Sequence, residues 1–188
     1  MTKKKLTVRA LCEGAILIAV AQILSLIPLW KYPWGGSVDL AMLPILLFCV
    51  RWGFGPAAIT CFVHGTLQML LSSSSGFVGW QSFLGDYLFA YGVLCVAGLF
   101  KGKFAPAAAV GCAARFLVHY AVGATIWAEW MPEEFFGMTM TSPWIYSGLY
   151  NGAYMLPCLV LVLAAYLLLL KTPAVKYFRA EDLQTTER

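Results

Sequence analysis

Arg115, His119, Gly123 and Trp127 follow one another at four-residue intervals inside an apolar run, "RFLVHYAVGATIWAEW" at 115 to 130. On a helix that spacing holds all four on one slowly drifting stripe. Ionisable side chains inside a membrane span cost about 2.5–3.5 kcal/mol each on insertion scales, so every one is a candidate for function. Besides Arg115 and His119 they are Glu13, Asp39, His64 and Asp86. Aromatic and amide side chains gather at the same depth: Trp30, Tyr32 and Trp34 in "LWKYPWGG", then Tyr146, Tyr150 and Asn151 in "WIYSGLYNG". An aromatic-lined cavity with one carboxylate suits a flat, small, cationic or amine-bearing molecule. Stacking and cation–π attraction would hold it with about 0.5–2 kcal/mol per ring.

The elements that must position these residues are membrane spans. The chain is 61% hydrophobic and 12% charged, with a mean hydropathy of +0.76, a composition foreign to water-soluble domains. Crossing about 30 Å of hydrocarbon takes about 20 helical residues. Six runs meet that need, at about 10–30, 38–51, 54–72, 80–100, 105–128 and 145–170. The second is short and carries Pro44, faults that a buried or tilted helix tolerates. The expected fold is an all-α membrane protein of six transmembrane helices, one integral membrane domain over 1–188.

Basic residues favour cytoplasmic loops. Lys3, Lys4, Lys5 and Arg9, then Arg51, then Lys101 and Lys103, then Lys171, Lys176 and Arg179 all fall on one side of the six spans. The opposite loops hold Lys31 with Glu129, Glu133 and Glu134. Both termini are therefore expected in the cytoplasm. With this orientation Asp86 lies about two turns below the outer surface on the descending fourth helix, and the fifth helix carries His119 and Trp127 up to meet it. The net charge of +4 reports this topology and no nucleic-acid partner, because the cations never form a patch.

Several readings compete at single residues. Trp30, Trp80, Trp130 and Trp144 are read as interface anchors. Arg115 is read as a packing counter-ion for a carboxylate or a snorkelling cation, and His64 as a satisfied interior histidine or a helix–helix hydrogen-bond donor in preference to a ligand contact. The six cysteines have no metal-ligand spacing and read as small packing residues. The "EEFF" segment in 129–144 is expected to form a short interfacial helix, and "RAEDLQTTER" a solvated tail. The first apolar run continues past "AVA" to Ile27 and reads as a retained helix, not a cleaved signal. No phosphate-binding G-x-x-x-x-G-K-[ST] loop, nucleophile elbow or H-E-x-x-H occurs, so no enzyme is expected and any pumping must draw on an ion gradient or on partner subunits.

Ala15 and Ala19 stand four apart on the first helix, a small-x-x-x-small face that lets another helix approach closely in lipid.

Together, "SLIPLWKYPWGGSVDLAMLPILL", "FLGDYLFAYGVLCVAGLF", "RFLVHYAVGATIWAEW" and "YSGLYNG" resemble the thiamine-binding S components of energy-coupling factor (ECF) transporters, the ThiT type, over about residues 7 to 170. The resemblance implies an S-component-like bundle in the bacterial cell membrane. Such a protein captures thiamine outside and works with a transmembrane T component and two ATPase subunits; thiamine is its bound ligand and no cofactor is implied. Matched to the family pattern, the binding positions are Trp34, Asp86, Tyr87, His119, Gly123, Trp127, Tyr146 and Asn151, and the docking pair is Ala15 and Ala19. Some members carry glutamate where Asp86 stands, and the preceding "LG" displaces the local register. The alternatives are an S component for another vitamin or cationic heteroaromatic amine, and a secondary carrier that acts alone.

Overall fold

The computed structural model describes residues 7–71 and 79–174. Six helical segments run back and forth across one bundle: α1 (Val8–Leu26), α2 (Met42–Trp52), α3 (Phe54–Leu71), a composite α4 (80–99), α5 (Phe104–Thr125) and α6 (Pro143–Leu169). Two short hairpins cap one end, β1–β2 (Trp30–Lys31 with Ser37–Val38) and β3–β4 (Glu134–Phe135 with Met138–Thr139). Four helices are long and apolar enough to cross a bilayer, while α2 and the 83–99 stretch are apolar but shorter. The "SSSSG" segment at 72–76 and the tail from 179 lie outside the described residues.

Local chemistry sets the ends of these helices. Thr7 caps α1 by accepting from the Ala10 amide, which satisfies one of the orphan donors of the first turn. Pro44 falls in the first turn of α2, where the missing N–H has no intrahelical partner to lose. Gly53, at φ +81°, ends α2 and turns the chain directly into α3. Ser142 accepts from the Trp144 amide at the start of α6, with Pro143 just inside.

The fourth span departs most from a plain helix. It opens as one α-turn (Trp80–Ser82), widens into π-turns over Phe83–Phe89, returns to α over Ala90–Gly92 and tightens to a 3-10 helix over Val93–Leu99. Its glycines allow this by close approach: a Cβ on Gly92 would strike the Phe62 ring, and one on Gly98 the backbone at Gly53 and Phe54.

Three boundaries differ from the expected ones. α1 stops at Leu26, because 27–38 folds into the first hairpin; α2 begins only at Met42 for the same reason. The "EEFF" segment forms the strand of β3–β4 and no helix, since Phe136 and Gly137 both adopt positive φ and reverse the chain.

Ile45, Leu46, Leu94, Ala107 and Val162 fill the core, while Ile16, Val20, Ile23, Val160 and Leu167 face outward, as lipid requires. Arg9, Arg51, Lys101, Lys103 and Lys171 share one end of the bundle; the hairpins occupy the other, the outer face by the basic-residue rule. At the basic end the buried Arg51 grips Glu13 through Nε (2.7 Å) and Nη2 (3.2 Å), and Trp52 donates to the same carboxylate at 2.8 Å. That pairing makes two charges tolerable inside the bundle.

Candidate functional site

A cavity of about 470 Å³ opens beneath the two hairpins, between α4, α5 and α6. Its size is that of a small-molecule site. Glycines bring its walls together. Gly85 sits where a Cβ would come within 2.8 Å of Val122, and a Cβ on Gly123 would collide with the Ser147 hydroxyl. The first glycine draws α4 onto α5, the second α5 onto α6. In the π-turns that follow Gly85, the extra residue per turn re-aims Asp86 into the cavity, a frequent use of π-bulges at functional sites.

Asp86 is held on both oxygens. His119 Nδ1 lies 3.2 Å from Oδ1, and Trp127 Nε1 donates to Oδ2 at 2.8 Å. Trp127 stands just past the end of α5, with φ −98° and ψ 9°, and still completes the stripe begun by Arg115, His119 and Gly123. His119 Nε2 is buried with no hydrogen-bond partner among the described residues. A buried acceptor of this kind costs free energy until a donor reaches it.

The α6 wall is a tyrosine ladder, Tyr146, Tyr150 and Tyr154, in ring contact at 5.7 and 5.9 Å. The β1–β2 hairpin rests on it: Tyr150 donates to the Trp34 carbonyl at 3.3 Å, and Tyr32 to the Ala153 carbonyl at 3.1 Å. Gly35 and Gly36, at φ +103° and +80°, lie so close to Tyr150 and Tyr154 that a side chain at either would clash.

All eight residues singled out from the sequence, Trp34, Asp86, Tyr87, His119, Gly123, Trp127, Tyr146 and Asn151, line this one cavity. Asn151 does so with its amide engaged inside the protein. It donates to the Ser147 carbonyl (2.9 Å) and the His119 carbonyl (3.3 Å), and accepts from Tyr154 at 2.8 Å. Its position therefore braces His119. Ala15 and Ala19 are exposed on the outer face of α1, remote in kind from the cavity lining.

Arg115 lies with its guanidinium carbon 4.1 Å from the Tyr91 ring centre, lining the cavity that also holds the Asp39 and Asp86 carboxylates. Trp130, read as a plain anchor, also reaches the rim. His64 is fully buried, and its Nδ1 pairs with Gln22 Nε2 at 3.1 Å; the amide is the donor and the imidazole accepts. The cavity further includes Asp39, Gln68, Tyr91, Tyr150 and Tyr154. Tyr150 and Tyr154 are legible as the i+4 continuation of Tyr146. Asp39 was visible as an ionisable group next to the first external loop. It accepts from the Ala41 amide and Ser37 hydroxyl at 2.9 Å each.

Residues 11–177 match the family model described as Thiamine transporter protein (Thia_YuaJ). The chain belongs to this family. Thiamine transporter ThiT of Bacillus subtilis (strain 168) is 30% identical over 190 residues, covering 92% of this chain and 95% of the relative. Thiamine transporter ThiT of Lacticaseibacillus paracasei is 27% identical, covering 90% of each. A solved structure of ThiT from Listeria monocytogenes superposes with a TM-score of 0.77 at 24% identity, covering 90% of this chain and 97% of that one. The last match shows a shared fold. Family membership makes this a multi-pass bacterial membrane protein among transporters, not enzymes.

Proposed function

We propose that this chain is the thiamine-capturing S component of an ECF transporter, and that the cavity beneath the hairpins is its binding site. The observation that carries the reading is Asp86, held by His119 and Trp127 within an aromatic enclosure. Thiamine offers a flat aminopyrimidine and a thiazolium cation, which suit such an enclosure. Asp86 accepts from the aminopyrimidine or pairs with the cation. Trp127 and Trp34 stack on the rings, and the free Nε2 of His119 takes a hydrogen bond from the ligand. Tyr87 and Tyr146 close the sides; Gly123 lets α5 close onto α6 at the cavity wall; Asn151 keeps His119 in place. No bond is made or broken.

Uptake then depends on partners. The chain has no phosphate-binding loop, and the exposed Ala15–Ala19 face of α1 offers the close approach a T component needs. Two ATPase subunits supply the energy through that contact.

Titrating the purified protein with thiamine while following tryptophan fluorescence tests the reading. Saturable quenching at one thiamine per chain is expected, with weaker binding of other vitamins. Preference for a different flat amine would reassign the ligand and keep the cavity.

A further inference from the structure

The second hairpin contains an anomaly that its own stability does not account for. Glu134 pairs with Thr139 and Phe135 with Met138, so Phe136 and Gly137 alone form the turn. Their φ values are +52° and +71°, the type I′ form, in which both central residues are left-handed and Asn-Gly is favoured. Phe136 is the sole non-glycine residue with positive φ among those described. A bulky side chain is disfavoured there, and 52% exposure means that burial of its own ring offers little in return.

Besides its neighbour Phe135, at 4.3 Å and 50°, the ring meets Trp34. The Phe136 and Trp34 centroids are 5.2 Å apart with planes at 87°, and Phe135 presents a second edge at 5.4 Å and 84°. Tyr32 stacks on the same indole at 5.0 Å and 28°. Trp34 is thus bracketed by rings from both external hairpins. Edge-to-face contacts of this geometry are attractive beyond the area they cover. Phe136 itself is absent from the cavity wall, so it acts on Trp34 and not on a ligand.

We infer that Phe136, supported by Phe135, is a positioning residue that latches the Trp34 hairpin closed over the cavity. The inference rests on the proposed binding site, with the Trp34 hairpin acting as its lid. The I′ geometry, unsuited to a phenylalanine, aims its ring at the indole. For the lid to swing away both phenylalanine edges must separate from it, so the latch governs release more than entry.

Hydrogen exchange on the ligand-free wild type and Phe136→Asn, paired with stopped-flow release of thiamine, tests this. Asn suits the turn, so the melting temperature should hold or rise. Amides of residues 32–38 should nonetheless exchange about two- to tenfold faster, and thiamine should leave faster by a similar factor, as expected for losing one aromatic pair. The association rate should stay within about twofold, since interface changes act mostly on dissociation. Phe136→Tyr should restore both rates. Unchanged exchange across 32–38 in Phe136→Asn overturns the latch whatever thiamine does. So does a lowered melting temperature with faster exchange throughout the bundle. If wild-type protein fails to bind thiamine, the ligand assignment falls, and the exchange comparison still decides the latch.

Discussion

Trp127 donates its indole N–H to Asp86 at 2.8 Å across 41 residues of chain, tying the end of α5 to the π-turns of α4. His119 approaches the other carboxylate oxygen at 3.2 Å. One carboxylate therefore organises two of the aromatic walls, and its own charge stays directed into the cavity.

Asp86→Asn removes that charge and keeps the size. A hydrogen bond to a charged group contributes about 1.5–3 kcal/mol, so thiamine affinity should fall by about 10- to 150-fold. The melting temperature should shift little. A fluorescence titration showing unaltered affinity would count against Asp86 as the ligand carboxylate.

Trp127→Phe separates stacking from positioning. The ring remains and the donor to the Asp86 carboxylate is lost, a hydrogen bond to a charged group of about 1.5–3 kcal/mol, so affinity should drop by up to about 10- to 150-fold. Trp127→Leu should lose distinctly more. Equal losses in the two variants would mean that stacking contributes nothing.

Gly123→Ala should destabilise the fold. The new methyl collides with the Ser147 hydroxyl, and overpacking of this kind costs about 1–3 kcal/mol. Thermal unfolding in detergent should register a lower midpoint, recovered in part by Gly123→Ala with Ser147→Gly. An unshifted midpoint would show that α5 and α6 have slack at this crossing.

Ala15→Trp places a large ring on the exposed face of α1. Thiamine binding by the isolated protein should be unchanged while uptake by cells is abolished. Loss of both activities together would make Ala15 an ordinary packing residue.

Much of this was readable from the chain because lipid imposes strict rules. Six apolar runs and the one-sided placement of Arg9, Arg51, Lys101 and Lys103 specified six segments and their direction. The shared depth of Asp86, His119 and Asn151 followed from that direction. What stayed hidden depends on backbone choices that periodicity does not encode. The π-turns around Asp86 arise where Gly85 lets α4 approach Val122, a tertiary contact. The hairpin at Glu134–Thr139 depends on Phe136 taking a conformation that sequence rules assign to Asn or Gly. Arg115 is expected beside a carboxylate, because ion pairing is the commoner way to tolerate a membrane cation; the Tyr91 π-face 4.1 Å away is a partner that spacing does not reveal. Asn151 lines the cavity at the depth expected of it, and its hydrogen bonds to His119, Ser147 and Tyr154 depend on packed geometry that the sequence does not encode.

The most direct measurement is an experimental structure of the protein with thiamine. Thiamine is expected in the cavity below Trp34, stacked against Trp127, with one of its nitrogens about 3 Å from Asp86. Thiamine bound elsewhere, or turned so that neither Asp86 nor His119 touches it, would contradict the account.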